Sequence, residues 1–391
     1  MIPFFRPSIT DADVEAVEEV MRSGWLTSGA KVIEFEERMA EYLGAKYVVA
    51  TSSCTVALEI ALRWADARAR GRLQAITTPL TFTATAEAIS RAGIPMVFAD
   101  TEPDGVNISP ETVSRIKYHK NQMVVPVGVG GNPADLSGFA NRSKTEKLLI
   151  IEDAAHTLGA TIRAKPTHAY AEVSCYSFHA NKNLTTNGEG GMIVTDHWPV
   201  AAYFRRIRQH GMDETSWGCR DDTWDYDVGT GGQKANMPDV CAAMGLTQLA
   251  RFDDMQAKRK YLCWGYHHIL REISDVDEDI TPFTVIDDIE SSACHLYQVL
   301  LPEWMDRDRV FRFMADKGVR CGVHYKPLYQ MTAWQEDPRK YPNCEKTWTR
   351  LLSLPLFVDM TSAQQDLVGT RLLDALKKEK ELCGRQLACV S

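Results

Sequence analysis

The chain has 391 residues, with 44 Lys and Arg against 52 Asp and Glu, a net charge of −8, 45% hydrophobic residues and 25% charged ones. That composition belongs to a globular protein and excludes a disordered chain, a collagen or a disulfide-stapled mini-scaffold. No dense basic stretch offers phosphate contacts to a nucleic acid, and the longest apolar runs, such as LLII at 148–151, are far too short for a membrane span.

The N-terminus MIPFFRPSITDAD lacks the basic start and long apolar stretch of a signal peptide, so a cytoplasmic protein is expected. Ten cysteines (54, 175, 219, 241, 263, 294, 321, 344, 383 and 389) are scattered without a C-x-x-C pair or a Cys/His cluster at zinc spacing. They read as reduced, packed thiols, and no metal is expected.

In chain order, an extended arm precedes a helix with Thr10 at its N-cap, Asp13 in its first turn, and Val14, Val17, Val20 and Met21 at helical spacing; Gly24 ends it. From residue 47, short β-branched runs alternate with helical stretches. YVVATSS precedes VALEIALRWADARA, QAITTPL precedes TATAEAISRAG, and PMVFAD, QMVVPVGV, KLLIIED, VSCYSF and GGMIVTD follow. Continuous apolar strands separated by helices predict an α/β domain with a mostly parallel sheet covered on both faces. After about residue 250 a long helix, ARFDDMQAKRKYLCWGYHHILREI, leads into amphipathic helices at DRDRVFRFMADKGV and SAQQDLVGTRLLDALKKE, with strands around CHLYQVLL and RCGVHYK. The expected division is an arm and large domain over 1–255 and a smaller C-terminal α+β domain over 256–391.

In an open α/β sheet, ligands bind beyond the carboxyl ends of the strands. After YVVA, the residues Thr51-Ser52-Ser53-Cys54-Thr55 open a helix whose free amides and dipole favour a phosphate, although Ser/Thr caps open many helices that bind nothing. After KLLIIED, Asp153 is a strand-end acid that needs a cationic partner if buried, or else serves as a helix cap. After VSCYSF, Lys182 sits in a polar, Gly-rich turn, either a surface charge or an amine whose pKa burial lowers. Together, a phosphate cup, a carboxylate and an amine in that order fit pyridoxal 5'-phosphate: an anchored phosphate, a protonated pyridine nitrogen and an aldehyde held as a Schiff base.

Those residues lie within motifs that resemble the DegT/DnrJ/EryC1/StrS family of sugar aminotransferases: SGWLTSGAKVIEFEE at 23–37, TSSCTVALEIAL at 51–62, TPLTFTATAEAI at 78–89, IEDAAHTLGA at 151–160, SFHANKNLTTNGEGGMIVT at 177–195, RQHG at 208–211, GQKANMPDVCAAMGLTQL at 232–249, GVHYKPLY at 322–329 and LSLPLF at 352–357. The resemblance implies PLP fold type I, with Lys182 as the Schiff-base and proton-transferring lysine and Asp153 at the pyridine nitrogen. It further implies His156 near the ring hydroxyl, Phe82 on the ring face, and Cys54, Thr55 and Ser177 at the phosphate. Lys234 would reach the phosphate in the neighbouring subunit, so the implied unit is a homodimer with shared sites. On the substrate side the resemblance implies Trp25, Thr27, His324, Tyr325 and Lys326.

The implied reaction moves an amino group from an amino acid, L-glutamate in the family, to a nucleotide-linked keto-sugar. SGWLTSG resembles members acting on 4-keto-6-deoxy sugars, whereas the loop length of KNLTTNGEGG resembles some acting at C3, so a 3-keto sugar or keto-cyclitol stands as the alternative. Related dehydratases replace the lysine with histidine, which this chain does not. A non-catalytic PLP-fold sensor is the alternative of another class. Where relatives read V-H-x-Y-G-x-P-A-D, this chain has Val127-Gly128-Val129-Gly130-Gly131-Asn132-Pro133-Ala134-Asp135, which opens the pocket or reshapes a turn. Arg205, Arg206 and Arg208 either meet a diphosphate or complement a helix dipole.

Overall fold

All strands but one of a seven-stranded sheet run the same way in the computed structural model, which describes residues 1–69, 71, 73–117, 121–146, 148–212, 226–229, 231–286 and 288–388. The arm enters α1 (Asp11–Ser23), where the Thr10 N–H and hydroxyl donate to the Asp13 carboxylate at 2.8 and 3.0 Å. Then come α2 (Ala30–Leu43), β1 (Tyr47–Thr51), α3 (Cys54–Arg68), β2 (Gln74–Thr77), α4 (Thr83–Arg91) and β3 (Met96–Phe98). The short α5 (Pro110–Ser114) precedes β4 (Gln122–Val125), α6 (Leu136–Glu146) and β5 (Leu149–Asp153). A small hairpin, β6 (Thr161–Ile162) with β7 (Lys165–Pro166), separates β5 from β8 (Val173–Ser177), β9 (Gly191–Thr195) and α7 (Trp198–Ile207).

The strand order is β1-β9-β8-β5-β4-β2-β3, and β9 is antiparallel to both β1 and β8. Alternation along the strands feeds two cores. Val49, Cys175 and Ile193 pack with Leu58, Ile89 and Phe204 on the α3–α4–α7 side. Val48, Tyr176, Met192 and Val194 pack with Phe35 and Met39 of α2 on the other. Every predicted strand of this region forms.

Two adjoining helices, α8 (Asp239–Ala250) and α9 (Phe252–Val276), carry the chain onward. The boundary expected at 255/256 falls in the first turn of α9: Phe252 and Met255 pack with the large sheet, while Leu262, Tyr266 and Ile273 belong to the second core. That second core, which also takes in Ile2 of the arm, surrounds an antiparallel sheet of β10 (Phe283–Thr284), β11 (Tyr297–Leu300) and a later strand, with α10 (Arg307–Asp316) on it. The chain closes with α11 (Pro342–Arg350), the third strand β12 (Leu351–Leu354) and α12 (Ser362–Ala388).

One expectation is corrected. RCGVHYK at 320–326 is not a strand; it touches the sheet by a single bridge, Gly322 to Ser353, and then turns away ahead of Pro327, carrying His324 and Tyr325 to the large sheet's edge. The helix expected from Thr10 to Gly24 forms as α1 with those caps; of its apolar residues Val20 is buried, while Val14 and Met21 stand exposed. Of the cysteines, Cys219 and Cys389 lie outside the described residues; the others are free thiols, Cys241 and Cys383 half-buried and the rest buried.

Candidate active site

Because β1, β2, β4, β5 and β8 all point the same way, the segments that follow them meet at one edge of the sheet. Ser53 caps α3, its hydroxyl accepting from the Val56 N–H at 3.3 Å. The N–H groups of Cys54 and Thr55 lie in the first turn, where the dipole favours an anion. The Cys54 thiol itself turns inward and donates to the Cys175 carbonyl at 3.3 Å, leaving the backbone as the polar surface of that residue. Gly191 brings β9 against this turn: a Cβ there would lie 2.4 Å from the Cys54 nitrogen.

Asp153 ends β5 at 4% exposure. It accepts from the Thr85 hydroxyl at 2.7 Å and from the Ala155 N–H at 3.1 Å, and a turn rather than a helix follows, so it is no helix cap. Burial pushes its carboxyl above the usual 3.8, opposed by those two hydrogen bonds and by Lys182. Lys182 follows β8 and is half-buried, not a surface lysine. Burial pulls its amine from 10.5 down to about 8, against the opposing influence of Cys54 and Asp153. Ser177 ends β8, its hydroxyl accepting from the His179 N–H at 3.4 Å.

His156 accepts at Nδ1 from the Gly130 N–H at 3.2 Å, and its Nε2 lies 3.1 Å from the Tyr325 hydroxyl. Burial holds the imidazole well below its usual 6.5, with Lys182 and His324 adding to the effect. Phe82, at the N-cap of α4, is 58% exposed, its ring centroid 6.0 Å from that of Tyr325. His324 stacks on Phe4 at 5.0 Å and shares a hydrogen bond with the Ser353 hydroxyl at 2.9 Å. Lys326 is exposed.

The remaining predicted residues, Trp25, Thr27 and Lys234, are exposed, on the segments that lead into α2 and α8. Trp25 is 63% exposed rather than core, and the Thr27 hydroxyl accepts from Asn236 Nδ2 at 3.0 Å. Lys234 is exposed, in a bridge with Gln209. Arg208 bonds the buried Glu36 carboxylate and, at 2.6 Å, the Ala50 carbonyl, tying the end of α7 to α2 and β1. Arg205 lies 3.8 Å from the same carboxylate.

Sequence reasoning missed Thr85, Asn183 and His295. Thr85 lies inside TFTATAEAI, in the first turn of α4, its hydroxyl 3.1 Å from that of Thr81 just ahead of the helix. Asn183 adjoins Lys182, and its Oδ1 meets His295 Nδ1 at 3.0 Å. Nothing local to His295 in CHLYQVLL distinguishes it from a core histidine.

The sequence profile of the DegT/DnrJ/EryC1/StrS aminotransferase family matches residues 7–373. The chain belongs to this family. It is 34% identical over 386 residues to the spore coat polysaccharide biosynthesis protein SpsC of Bacillus subtilis (strain 168), covering 96% of this chain and 97% of SpsC. Among solved structures it is similar to Helicobacter pylori PseC, an aminotransferase involved in the biosynthesis of pseudoaminic acid, with a TM-score of 0.88 and 26% identity over 96% of this chain and 99% of PseC. The sugar aminotransferase Spr1654 of Streptococcus pneumoniae, described as putative, in its PMP form gives 0.87 at 26% identity, over 97% of this chain and 100% of the other. This member of the DegT/DnrJ/EryC1/StrS family is therefore a PLP-dependent sugar aminotransferase on an α/β PLP fold. The residues at the sheet edge fit that cofactor: a buried carboxylate, an amine with a lowered pKa, and a helix N-terminus approached closely through a glycine. No helix among the described residues is long and apolar enough to cross a membrane.

Proposed function

We propose that the enzyme moves the amino group of L-glutamate to a nucleotide-linked 4-keto-6-deoxy sugar, in a homodimer whose sites are shared. The observation that carries the reading is the placement of the Lys182 amine and the buried Asp153 carboxylate at one sheet edge, beneath a wall contributed by Tyr325. Asp153 would pair with the cofactor's ring nitrogen, and the amides of Cys54 and Thr55, the Thr55 hydroxyl and Ser177 would hold its phosphate. Phe82 would cover the ring, and Lys182 would hold the aldehyde. When bound, the cofactor supplies an electron sink for the carbon bearing the transferred nitrogen. Lys182, once its amine is free, would take and return the proton at that carbon.

A sugar acceptor needs an open, amphipathic wall, and exposed Trp25 with Thr27, His324, Tyr325 and Lys326 are its proposed elements. A second copy is supported by an apolar groove of about 340 Å³ lined by Pro7, Ile9, Val14, Val17, Ala180 and Met244, which also takes in Gly188 of the loop after Lys182. Lys234 would enter the neighbouring site across that contact. The alternative, a 3-keto acceptor, rests on the resemblance in length of the loop after Lys182, in which Asn187 and Gly188 adopt φ of 63° and 99°.

The test charges the enzyme with glutamate to the pyridoxamine form, then adds UDP-, GDP- and dTDP-linked 3- and 4-keto sugars separately. Return of the resting enzyme's visible absorption with a 4-keto-6-deoxy sugar is the expected result. Return with 3-keto sugars alone reverses the assignment.

A further inference from the structure

The hydrogen bonds around His156 determine where its proton resides. A backbone N–H can only donate, so the Gly130 amide, 3.2 Å from Nδ1, requires that nitrogen to be bare. The imidazole is neutral, so Nε2 carries the hydrogen and donates to the Tyr325 oxygen 3.1 Å away. With its oxygen used as the acceptor, the Tyr325 hydroxyl has its own hydrogen left to give.

The surroundings hold this arrangement from three sides. The His295 ring lies 4.3 Å from the His156 ring, and its Nδ1 donates to Asn183 Oδ1 at 3.0 Å. Asn183 in turn donates to the Ala293 carbonyl at 2.7 Å and to Gln256 Oε1 at 3.3 Å, so the residue next to Lys182 is tied to the same segment. The glycine turn is fastened there too: the Ala293 and Leu296 amides donate to the Gly131 and Gly130 carbonyls, each at 2.9 Å. Gly130 and Gly131 adopt φ of 70° and 95°, and a Cβ on Gly131 would lie 2.8 Å from the His295 nitrogen.

We propose that His156 is a positioning residue, locked by the Gly130 amide as the Nε2–H tautomer, that orients Tyr325 as a hydrogen-bond donor toward an acceptor oxygen of the bound ligand. The donor would meet either the phenolic oxygen of the cofactor or an oxygen of the sugar. Burial, reinforced by Asp153, raises the Tyr325 phenol above its usual value, which keeps that hydrogen in place through neutral pH. The proposal rests on the site assignment above, but its first test does not.

That test is nitrogen NMR of the histidine-labelled, cofactor-free chain between pH 6 and 9, with His156→Gln used to assign the signal. A bare Nδ1 and protonated Nε2 are expected throughout; a protonated Nδ1 or an imidazolium overturns the proposal, whatever ligand the site takes. In the loaded enzyme, Tyr325→Phe is expected to lose roughly ten- to a hundredfold in the step its donor serves. Loss of cofactor affinity identifies the cofactor oxygen; loss of sugar kcat/KM with unchanged cofactor affinity identifies the sugar. Loss of neither rejects the donor role. His156→Gln, whose one amide can accept from Gly130 and donate to Tyr325, should retain most of what His156→Leu loses. Equal losses in the two variants would show that His156 is packing alone.

Discussion

The Lys182 amine is drawn to about 8 by burial, so in the cofactor-free chain it passes from ammonium to free base within the range where enzymes are assayed. Only the free base attacks an aldehyde, so cofactor capture should accelerate as pH rises toward 8 and level off above it. Stopped-flow absorbance after mixing cofactor-free protein with PLP measures this, and a rate still climbing steeply to pH 10 would show an ordinary exposed lysine. At this scale the sequence is informative where residue type and chain position coincide: Lys182, Asp153 and His156 are chemically distinctive groups at strand ends or in the turns that follow them. Thr85 and His295 were not legible, because their value lies in partners far away in sequence. The Thr85 hydroxyl serves Asp153, and His295 serves Asn183, contacts that exist only once the sheet is assembled.

At the level of elements, α1 shows how one side chain joins two helices. The Asp13 carboxylate, 1% exposed, accepts from Thr10, from the Thr247 hydroxyl at 2.6 Å, from Gln248 at 3.0 Å and from Arg251 at 2.8 Å. Burial raises its pKa, but the hydrogen bonds from Thr247 and Thr10, with the Arg251 charge, outweigh burial and hold it below the usual 3.8. A lowered folded-state value stabilises above the unfolded value and is lost as pH falls through the folded one. Asp13→Ala should therefore cost about 2–4 kcal/mol at neutral pH, read by denaturant unfolding, with the gap to wild type closing only under acid. A loss under about 0.5 kcal/mol would reduce Asp13 to an exposed-type helix cap. The sequence shows Thr10 and Asp13 as a helix start, which is local, but not the hold on α8, which is not. Strands were legible for a similar reason: β-branched runs bounded by turns advertise themselves, whereas RCGVHYK looked extended and is, without the ladder partners that make a strand.

For the whole molecule, the exposed apolar residues Ile9, Val14, Met21, Trp25, Leu26 and Ile33 concentrate on α1, α2 and the segments beside them. Charging α1 with Val14→Glu and Met21→Glu should leave the protomer folded, since both side chains are already outside, while light scattering shows a monomer whose PLP affinity falls at least tenfold. An unchanged dimer would exonerate this face, and a fully active monomer would end the shared-site proposal. The sheet order bears on how the chain is made. Among the described residues, the edge strand β1 finds its one neighbour in β9, and Ile2 finds Val319. On the ribosome, β1 must therefore wait without its partner until residue 195 has emerged, and Ile2 is seated only after Val319 has followed. Between those moments the nascent chain carries an unpaired apolar strand, which makes this interval the one most open to misassembly and the one in which a chaperone would matter most.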